Sequence, residues 1–579
     1  MLTRTVRTVV IGSGCAGLNA ADWLYMLGER DFVLVTEEMN AGTSRNTGSD
    51  KQTYYKLSLS GDEGDSVGAL ARDLCAPDVN GDTALCEAAH SAACFLRLAS
   101  LGVPFPQNAY GEYVGYQTDH DTRRRASSAG PLTSRFMTQA LEKSVREKPI
   151  EIIDHCLAFQ IETDADGVCG LLCVKTDTQE LLHIACAHVI LCTGGPAHIY
   201  RDRVYPVSHH GMSGMAFAAG AQGANLQAWQ YGLASVGFRW NVSGSYQQVL
   251  PRFVSVDAQG NEREFLPKAL TPRTALHYGF LKGYQWPFDA RKVPGSSQVD
   301  MLVKQETDEG RRVYMDFRRN PTGYAPELLT DEARAYLENC GATGDTPFER
   351  LKVMNAPAIE LYRDHGIDLE NEMLEIRVCA QHHNGGIAVD ANWQSTVPGL
   401  YACGEAAGTF GAFRPGGTAL NSTQVGSQRA ATHVAQESVR RARAHAFTGE
   451  IRLPRGDARA LEERFAGEMS RCAAFIRDVQ GMKALYADVQ HASEDTQAID
   501  LTDAQLETRI RLGDILETQR AVLSAMITAQ EMPGEGVLMT RDGKSAYQPA
   551  RPLPERDLWF ERVWRENRER AQRREKENR

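Results

Sequence analysis

The chain has 579 residues, 42% of them hydrophobic, and its 63 basic and 74 acidic side chains give a formal net charge of −11. This length suffices for several domains with buried cores, and the negative charge argues against nucleic acid as the main partner. No apolar run approaches the roughly 20 residues that a membrane-spanning helix needs, so we expect no membrane insertion. The first predicted strand begins a few residues after Met1, which leaves no room for a signal peptide, and we expect a cytoplasmic protein.

A glycine-rich turn near the N-terminus has the spacing of a dinucleotide-binding fingerprint. An apolar strand predicted over 8–11 runs into Gly12, Gly14 and Gly17, and a helix follows. Gly12 permits the tight turn, Gly14 lets the backbone approach a pyrophosphate, and Gly17 lets the helix pack closely on the strand. The helix N-terminus then faces the phosphates, and Glu37, after a second apolar strand, is placed to bind ribose hydroxyls. The expected contacts are Gly12, Gly14, Cys15, Ala16, Gly17 and Glu37.

Polar loops, helices and short strands fill the chain up to the next long apolar strand. Polar loops are predicted over 42–51 and 118–130, and helices over 65–74, 83–101 and 134–147. Short strands near 150–154, 158–162, 168–175 and 181–187 have the pattern of a small antiparallel insertion. The apolar strand over 188–191 ends near Gly194 and Gly195, where the chain can pass beside a dinucleotide because no side chain is in the way.

Changes in composition divide the chain into four predicted segments. Short helices and loops rich in proline and aromatic residues over 233–376 are interpreted as an inserted capping domain. The nucleotide fold occupies 1–232 and resumes over 377–440, and residues 441–579 have helical spacing to the end. The tail over 562–579, dense in Arg and Glu, is interpreted as a solvated helix, with a binding arm as the alternative.

Together these segments resemble the flavoprotein superfamily of succinate dehydrogenase, fumarate reductase and L-aspartate oxidase. The match spans 6–431 and is most specific over 398–405 and 414–420, which are similar to the family segments PGLFAxGE and NRLGGNSL. The resemblance implies an α/β fold: a Rossmann-like FAD-binding domain with an inserted α+β capping domain and a helical C-terminal region. It also implies bound FAD, whose further contacts would be Ser44, Arg45, Asn46, Thr47, Gly48, Thr193, Gly194, Gly195, Gly404, Glu405, Gly417, Thr418, Ala419 and Leu420.

Two arginines fall at catalytic positions of the resembled family. Arg414 lies where the family keeps an arginine that clamps a substrate carboxylate, a role that suits a planar bidentate donor. Arg273 resembles the capping-domain arginine that delivers a proton as hydride leaves flavin N5. The alternative for Arg273 is a surface or salt-bridged arginine.

The chain also departs from the family at three positions. The family's SHT sequence carries the histidine that links to FAD, whereas residues 44–47 contain none, so we expect noncovalent FAD. Gly232 stands where VQYHP has its histidine. The histidine of HYTMGG is either replaced by Gln381 or displaced to His382 or His383. A dicarboxylate needs donors at both ends, so succinate and fumarate are poor candidates. His382 and His383 either face the substrate or are structural.

The spacing of the cysteines bears on how electrons reach or leave the flavin. The cysteines do not have the spacing of an iron–sulfur cluster, and Cys169 and Cys173 are interpreted as small side chains in a hairpin. We therefore expect no metal in this chain. Any iron–sulfur relay would belong to a separate subunit or electron-transfer protein. The thirteen cysteines fit a reducing compartment. The favoured function is hydride transfer between flavin N5 and a carbon of a small polar organic substrate. The alternatives are an electron-relay subunit and an oxygen-using oxidase.

Overall fold

The computed structural model describes residues 1–60, 64–118, 121–437, 440–555, 568–569 and 572. Residues 119–120 of the second polar loop, and almost all of the expected terminal helix over 562–579, lie outside the described residues. Within the described ranges, no helix has the length and apolar character needed to cross a membrane.

Helices and short strands are interleaved along the chain. The α-helices of the described ranges are Cys15–Met26, Thr43–Asn46, Val67–Leu74, Gly81–Ser100, Thr133–Arg146, Gly214–Ala218, Ser245–Gln248, Leu266–Ala269, Pro272–Leu281, Gln298–Asp308, Asp331–Asn339, Pro347–Met354, Ala356–Asp364, Thr418–Gln436, Ala458–Cys472, Val479–Glu494 and Leu506–Glu531. The strands are Leu2–Thr5, Thr8–Ile11, Phe32–Val35, Tyr54–Tyr55, Ala126–Ser127, Ile152–Ile153, Cys156–Asp164, Gly167–Lys175, Leu181–Ala185, His188–Leu191, Gly223–Ala224, Trp229–Ser235, Trp240–Asn241, Arg252–Val256, Glu262–Glu264, Arg312–Asp316, Leu374–His383, Gly386–Ile387, Leu400–Ala402, Arg452–Pro454, Thr496–Ala498, Val537–Arg541 and Lys544–Gln548.

A five-stranded parallel sheet forms the centre of the nucleotide fold. Its order is Leu400–Ala402, His188–Leu191, Thr8–Ile11, Phe32–Val35 and Ile152–Ile153. The three inner strands are buried at every residue, which explains why the sequence shows continuous apolar runs there rather than alternation. The predicted Rossmann-like α/β class is therefore confirmed.

The small antiparallel insertion is also present. Strands Cys156–Asp164, Gly167–Lys175 and Leu181–Ala185 pair in antiparallel order, and Leu2–Thr5 joins this sheet in parallel. Cys169 and Cys173 lie on its middle strand as free thiols, and Cys173 is fully buried.

A six-stranded antiparallel sheet carries the cap. Its two longest strands are Trp229–Ser235 and Leu374–His383, which pair so that Gln230 faces His382 across the ladder. A separate hydrophobic core, including Phe253 and Val299, lies between this sheet and the cap helices. The two long strands run from the cap to the nucleotide fold, so their ends bring polar side chains to the junction.

The C-terminal region is helical over Ala458–Cys472, Val479–Glu494 and Leu506–Glu531. The prediction of helical spacing to the end of the chain is wrong over 537–548, because Val537–Arg541 and Lys544–Gln548 form a hairpin. Its two-residue turn, Asp542 and Gly543, has positive φ angles of 49° and 70°, as a type I′ turn requires. The hairpin pairs with the strand Gly223–Ala224, which extends a small sheet.

Candidate functional site

A cleft of about 310 Å³ lies at the carboxyl ends of the parallel strands, next to the cap. Its walls include residues one or two positions after the ends of these strands, among them Gly12, Glu37, Thr193 and Gly404. Open α/β sheets bind ligands at this edge, because the strand ends and helix N-termini leave a crevice there. The other predicted site residues on its wall are Gly14, Cys15, Ala16, Ser44, Thr47, Gly48, Gly194, His382, Glu405, Arg414, Ala419 and Leu420.

Glycines keep the cleft open at its nucleotide end. Gly12 has φ of +107°, and a Cβ there would lie 2.5 Å from the Cys192 carbonyl oxygen. A Cβ on Gly17 would lie 1.8 Å from the Gly12 carbonyl oxygen, so only glycine lets the helix Cys15–Met26 pack this closely on the strand. Gly17 therefore supports the turn from behind and does not line the cleft.

Glu37 lies at the tip of the second strand and is held by His210 and Arg511. His210 Nδ1 lies 3.1 Å from its Oε2, and Arg511 of the C-terminal helix Leu506–Glu531 pairs with its Oε1. Burial alone would raise the Glu37 pKa, but His210 and Arg511 outweigh burial and lower the pKa to about 2. The carboxylate is thus charged at neutral pH, and it links the cleft to the C-terminal helices.

The side chains of the short helix Thr43–Asn46 point in different directions. Ser44 faces the cleft, where its Oγ accepts a hydrogen bond of 3.3 Å from the Cys15 N–H. Arg45 instead forms an ion pair of 2.6 Å with Glu142, and Asn46 donates to the Asn40 and Gly42 carbonyls. Neither Arg45 nor Asn46 is on the cleft wall.

Glu405 forms part of the inner wall. It accepts hydrogen bonds from the Tyr205 hydroxyl and from the His383 N–H, the latter at 2.8 Å. A Cβ on Gly195 would lie 2.5 Å from Glu405 Oε1, so Gly195 gives the carboxylate its space from behind the wall. Burial raises the Glu405 pKa to about 7.

Arg414 is the centre of a hydrogen-bonded group at the cap end. Its guanidinium donates to Asn384 Oδ1 at 3.1 Å, Thr418 Oγ1 at 3.0 Å and Gln230 Oε1 at 2.9 Å. Burial lowers the Arg414 pKa to about 10, although Glu405 and Glu87 act to raise it. Thr418, one residue after the positive-φ Gly417, therefore orients Arg414 and is not itself on the wall.

The two histidines have different surroundings. His382 lines the cleft, and its Nδ1 lies 2.9 Å from Asn384 Oδ1. His383 points into the core, where its ring stacks on Trp229 at 4.3 Å and its Nε2 lies 3.2 Å from the Leu226 carbonyl oxygen. His383 thus packs in the core, and Asn384, which the sequence analysis did not single out, contacts both His382 and Arg414.

The structure does not bring Arg273 to the cleft. It lies in the first turn of the cap helix Pro272–Leu281 with an exposed side chain, and it is not on the cleft wall. The cap instead contributes Trp286 to the cleft wall, and its Nε1 donates to the Leu233 carbonyl at 3.2 Å. A Cβ on Gly232 would lie 2.8 Å from this indole, so Trp286 occupies the space beside Gly232.

Three side chains of the described part of the chain lie close enough together to hold a metal ion. They are Glu162, His183 and His445, none of which lines the cleft. Glu162 Oε2 and His183 Nε2 are 2.6 Å apart, which is a hydrogen-bonding distance. The expectation of no metal stays a prediction.

Several polar atoms of the cleft wall are buried and have no hydrogen-bond partner among the described residues. They are Thr43 Oγ1, Thr47 Oγ1, Thr193 Oγ1, Asn241 Oδ1, Gln381 Oε1 and His382 Nε2. Buried polar atoms normally have hydrogen-bond partners, so a polar ligand is expected along this wall. The glycine turn, the charged Glu37 at a strand tip and these atoms together fit a long polar molecule such as FAD.

The family model described as FAD binding domain matches residues 7–420. The chain belongs to this family. L-aspartate oxidase of Xylella fastidiosa strain 9a5c is 26% identical over 442 residues, which cover 74% of this chain and 75% of that protein. L-aspartate oxidase of Caulobacter vibrioides is 26% identical over 539 residues, which cover 91% of each protein.

Solved structures share the fold across nearly the whole chain. A mutated FrdA of E. coli quinol fumarate reductase gives a TM-score of 0.68 at 17% identity, covering 97% of this chain and 99% of that one. Sdh1 of Mycobacterium smegmatis gives 0.71 at 17% identity, covering 96% and 95%. The predicted superfamily of succinate dehydrogenase, fumarate reductase and L-aspartate oxidase is therefore confirmed, and the chain is an FAD-dependent oxidoreductase.

Proposed function

We propose that this protein binds FAD noncovalently and transfers a hydride between flavin N5 and a carbon of a small polar organic substrate that carries a single carboxylate. The observation that carries the proposal is the group around Arg414 at the cap end of the cleft. The bound flavin supplies the two-electron chemistry. The protein's own side chains hold the cofactor, orient the substrate and handle protons.

The cofactor would lie along the glycine-lined end of the cleft. The helix N-terminus after Gly14 would direct its N–H groups and positive dipole end toward the pyrophosphate, and the charged Glu37 would accept hydrogen bonds from the ribose. The hydroxyls of Ser44 and Thr47 line the same wall. Residues 44–47 include no histidine that could bond covalently to the flavin, which supports noncovalent binding.

Arg414 would bind the substrate carboxylate. Its three hydrogen bonds within the protein use three of the five N–H groups of a guanidinium, which leaves two for a bidentate contact with an anion. These bonds also fix the plane of the guanidinium, so little side-chain freedom is lost on binding. The surrounding wall offers neutral donors and acceptors, Gln230, Gln381 and Asn241.

A second carboxylate has no comparable cationic partner on the described wall. Gln381 donates its amide to the Gly232 carbonyl at 2.9 Å, and Trp286 fills the space beside Gly232. An indole and an amide stabilise a neutral group better than an unpaired anion, because a desolvated charge without a counter-ion is costly. Monocarboxylates with a neutral polar or unsaturated end therefore fit this wall better than succinate or fumarate.

Electrons would pass to or from a separate protein, a diffusible nicotinamide or oxygen. The relatives named L-aspartate oxidase favour oxygen as a second candidate. An iron–sulfur subunit or another electron-transfer protein is the partner to expect if oxygen does not react.

The test is anaerobic photoreduction of the FAD-loaded protein, followed by mixing with crotonate, 2-oxo acids, fumarate or air-saturated buffer. Reoxidation of the flavin by a monocarboxylate, at a rate well above that with fumarate, is expected. Arg414→Ala should weaken binding of that substrate about 10- to 100-fold, whereas Arg273→Ala, at an exposed position, serves as the matched arginine control. Fast turnover of fumarate alone would contradict the proposal, and fast reoxidation by oxygen alone would favour the oxidase.

A further inference from the structure

We propose that His382 accepts the substrate proton at Nε2, and that Asn384 is a positioning residue that fixes the tautomer of His382. This inference rests on the proposed function, because it assigns the proton transfer that accompanies hydride transfer at the same cleft. It places this step on the strand Leu374–His383 and its following turn, rather than on the exposed Arg273 of the cap.

The hydrogen bonds of Asn384 determine which of its amide atoms faces the site. Its Nδ2 donates to the Gly411 carbonyl at 3.0 Å, so Oδ1 points to the opposite side. Arg414 Nε donates to this Oδ1 at 3.1 Å, and a guanidinium can only donate. Both contacts agree on the amide orientation, and Oδ1 is therefore an acceptor.

This acceptor determines the tautomer of His382. His382 Nδ1 lies 2.9 Å from Asn384 Oδ1, so Nδ1 must carry the hydrogen. In a neutral imidazole the other nitrogen then has a free lone pair. His382 Nε2 is buried on the cleft wall and has no hydrogen-bond partner among the described residues.

Burial and the neighbouring charge of Arg414 keep His382 neutral before substrate binds. Arg414 shares Asn384 Oδ1 with it, His383 is its chain neighbour, and Glu405 Oε1 lies 3.9 Å from Nε2. Burial first, and then the positive charge of Arg414, lowers the His382 pKa well below its ordinary value. The His382 ring also packs nearly perpendicular to Phe410, with ring centroids 4.9 Å apart, which limits its rotation. His382 is therefore neutral in the free site, with an unshared lone pair at Nε2.

The proton and electron balance is simple. In the oxidative direction a hydride leaves one carbon of the substrate for the bound FAD. A proton leaves the adjacent carbon for His382 Nε2, and a carbon–carbon double bond forms between the two carbons. In the reductive direction protonated His382 returns that proton. Glu405 is close enough to stabilise the imidazolium that forms in between. The substrate class is thus a carboxylate with hydrogen on two adjacent carbons, or the corresponding 2-enoate.

The first test reads the tautomer without any substrate. FAD-loaded protein labelled with ¹⁵N-histidine should give one resonance pair with protonated Nδ1 and unprotonated Nε2 that persists below pH 6.5 and disappears in His382→Gln. Asn384→Leu should convert it to a tautomer mixture, whereas Asn384→Asp, which keeps an acceptor oxygen, should restore it. The matched control is His491→Gln at an exposed position of the helix Val479–Glu494. A protonated Nε2 in the wild type, or no change in Asn384→Leu, would overturn the inference.

The second test uses reduced FAD-loaded protein and crotonate in single-turnover stopped flow. His382→Gln should slow flavin reoxidation about 100-fold or more with little change in the crotonate concentration at half-maximal rate. Asn384→Leu should slow it in the same way, with partial rescue in Asn384→Asp. An unchanged rate in His382→Gln would refute the role. If crotonate and the other carboxylates fail with wild type as well, the proposed function fails, while the tautomer test still decides the structural part.

Discussion

Glu37 should set the affinity for FAD through its negative charge. A carboxylate has about four acceptor positions, and His210 and Arg511 use two, so about two remain for ribose hydroxyls. A hydrogen bond to a charged group contributes about 1.5–3 kcal/mol. Glu37→Gln keeps the size of the side chain but loses the charge, so FAD binding should weaken about 10- to 150-fold.

The assay for Glu37 is quenching of FAD fluorescence on titration with apoprotein at pH 7. The matched control is Glu147→Gln, which removes an equal charge at an exposed position after the helix Thr133–Arg146. Because the Glu37 pKa is about 2, its titration should leave the wild-type affinity unchanged between pH 5 and 8. Equal dissociation constants for wild type and Glu37→Gln would refute the assignment of this carboxylate to the ribose.

Three further predictions concern the cofactor and the fold. FAD should be released completely on denaturation, and flavin fluorescence that stays with the polypeptide on a denaturing gel would show a covalent bond. Gly17→Ala should yield protein without flavin, because its Cβ would lie 1.8 Å from the Gly12 carbonyl oxygen; a normal flavin-to-protein absorbance ratio would contradict this. Glu405 has a raised pKa of about 7 in the folded protein, so it stabilises the fold below its unfolded pKa and this contribution is lost as pH rises through 7. The loss is about 3 kcal/mol, and Glu405→Gln should flatten the fall in melting temperature between pH 5 and 8.

The nucleotide fold was predictable because local rules determine it. The glycine turn, the apolar strands and the acidic strand tip each occupy a few consecutive residues, and each has one compatible backbone arrangement. The C-terminal hairpin was missed although its turn, Asp542 and Gly543, is a strong two-residue signal. The helical spacing of the longer C-terminal segments led to a helical prediction for the whole region, and the short hairpin was overlooked.

The site was predictable only in part, because contacts between distant segments decide it. Residues 44–47 stand where the resembled family has its SHT sequence, yet in the short helix Thr43–Asn46 neighbouring side chains point about 100° apart, so Ser44 faces the cleft and Arg45 does not. Asn384 has no motif of its own. Its role arises from Gly411 and Arg414, which approach it from a different loop.

Position 232 is a glycine, and Trp286 occupies the space that a side chain at 232 would need. The roles of Gly232 and Trp286 can be tested directly. A Cβ at 232 would lie 2.8 Å from the indole, so Gly232→His should overpack the wall at a cost of about 1–3 kcal/mol, seen as a lower melting temperature. Adding Trp286→Ala should relieve that cost, because it removes the ring that the new side chain meets. If Gly232→His alone were as stable as wild type and gained fumarate turnover, the indole would not be the group that excludes a second carboxylate. If the double variant gained affinity for fumarate and the single one did not, the cap tryptophan would be identified as the residue that separates this cleft from a dicarboxylate site.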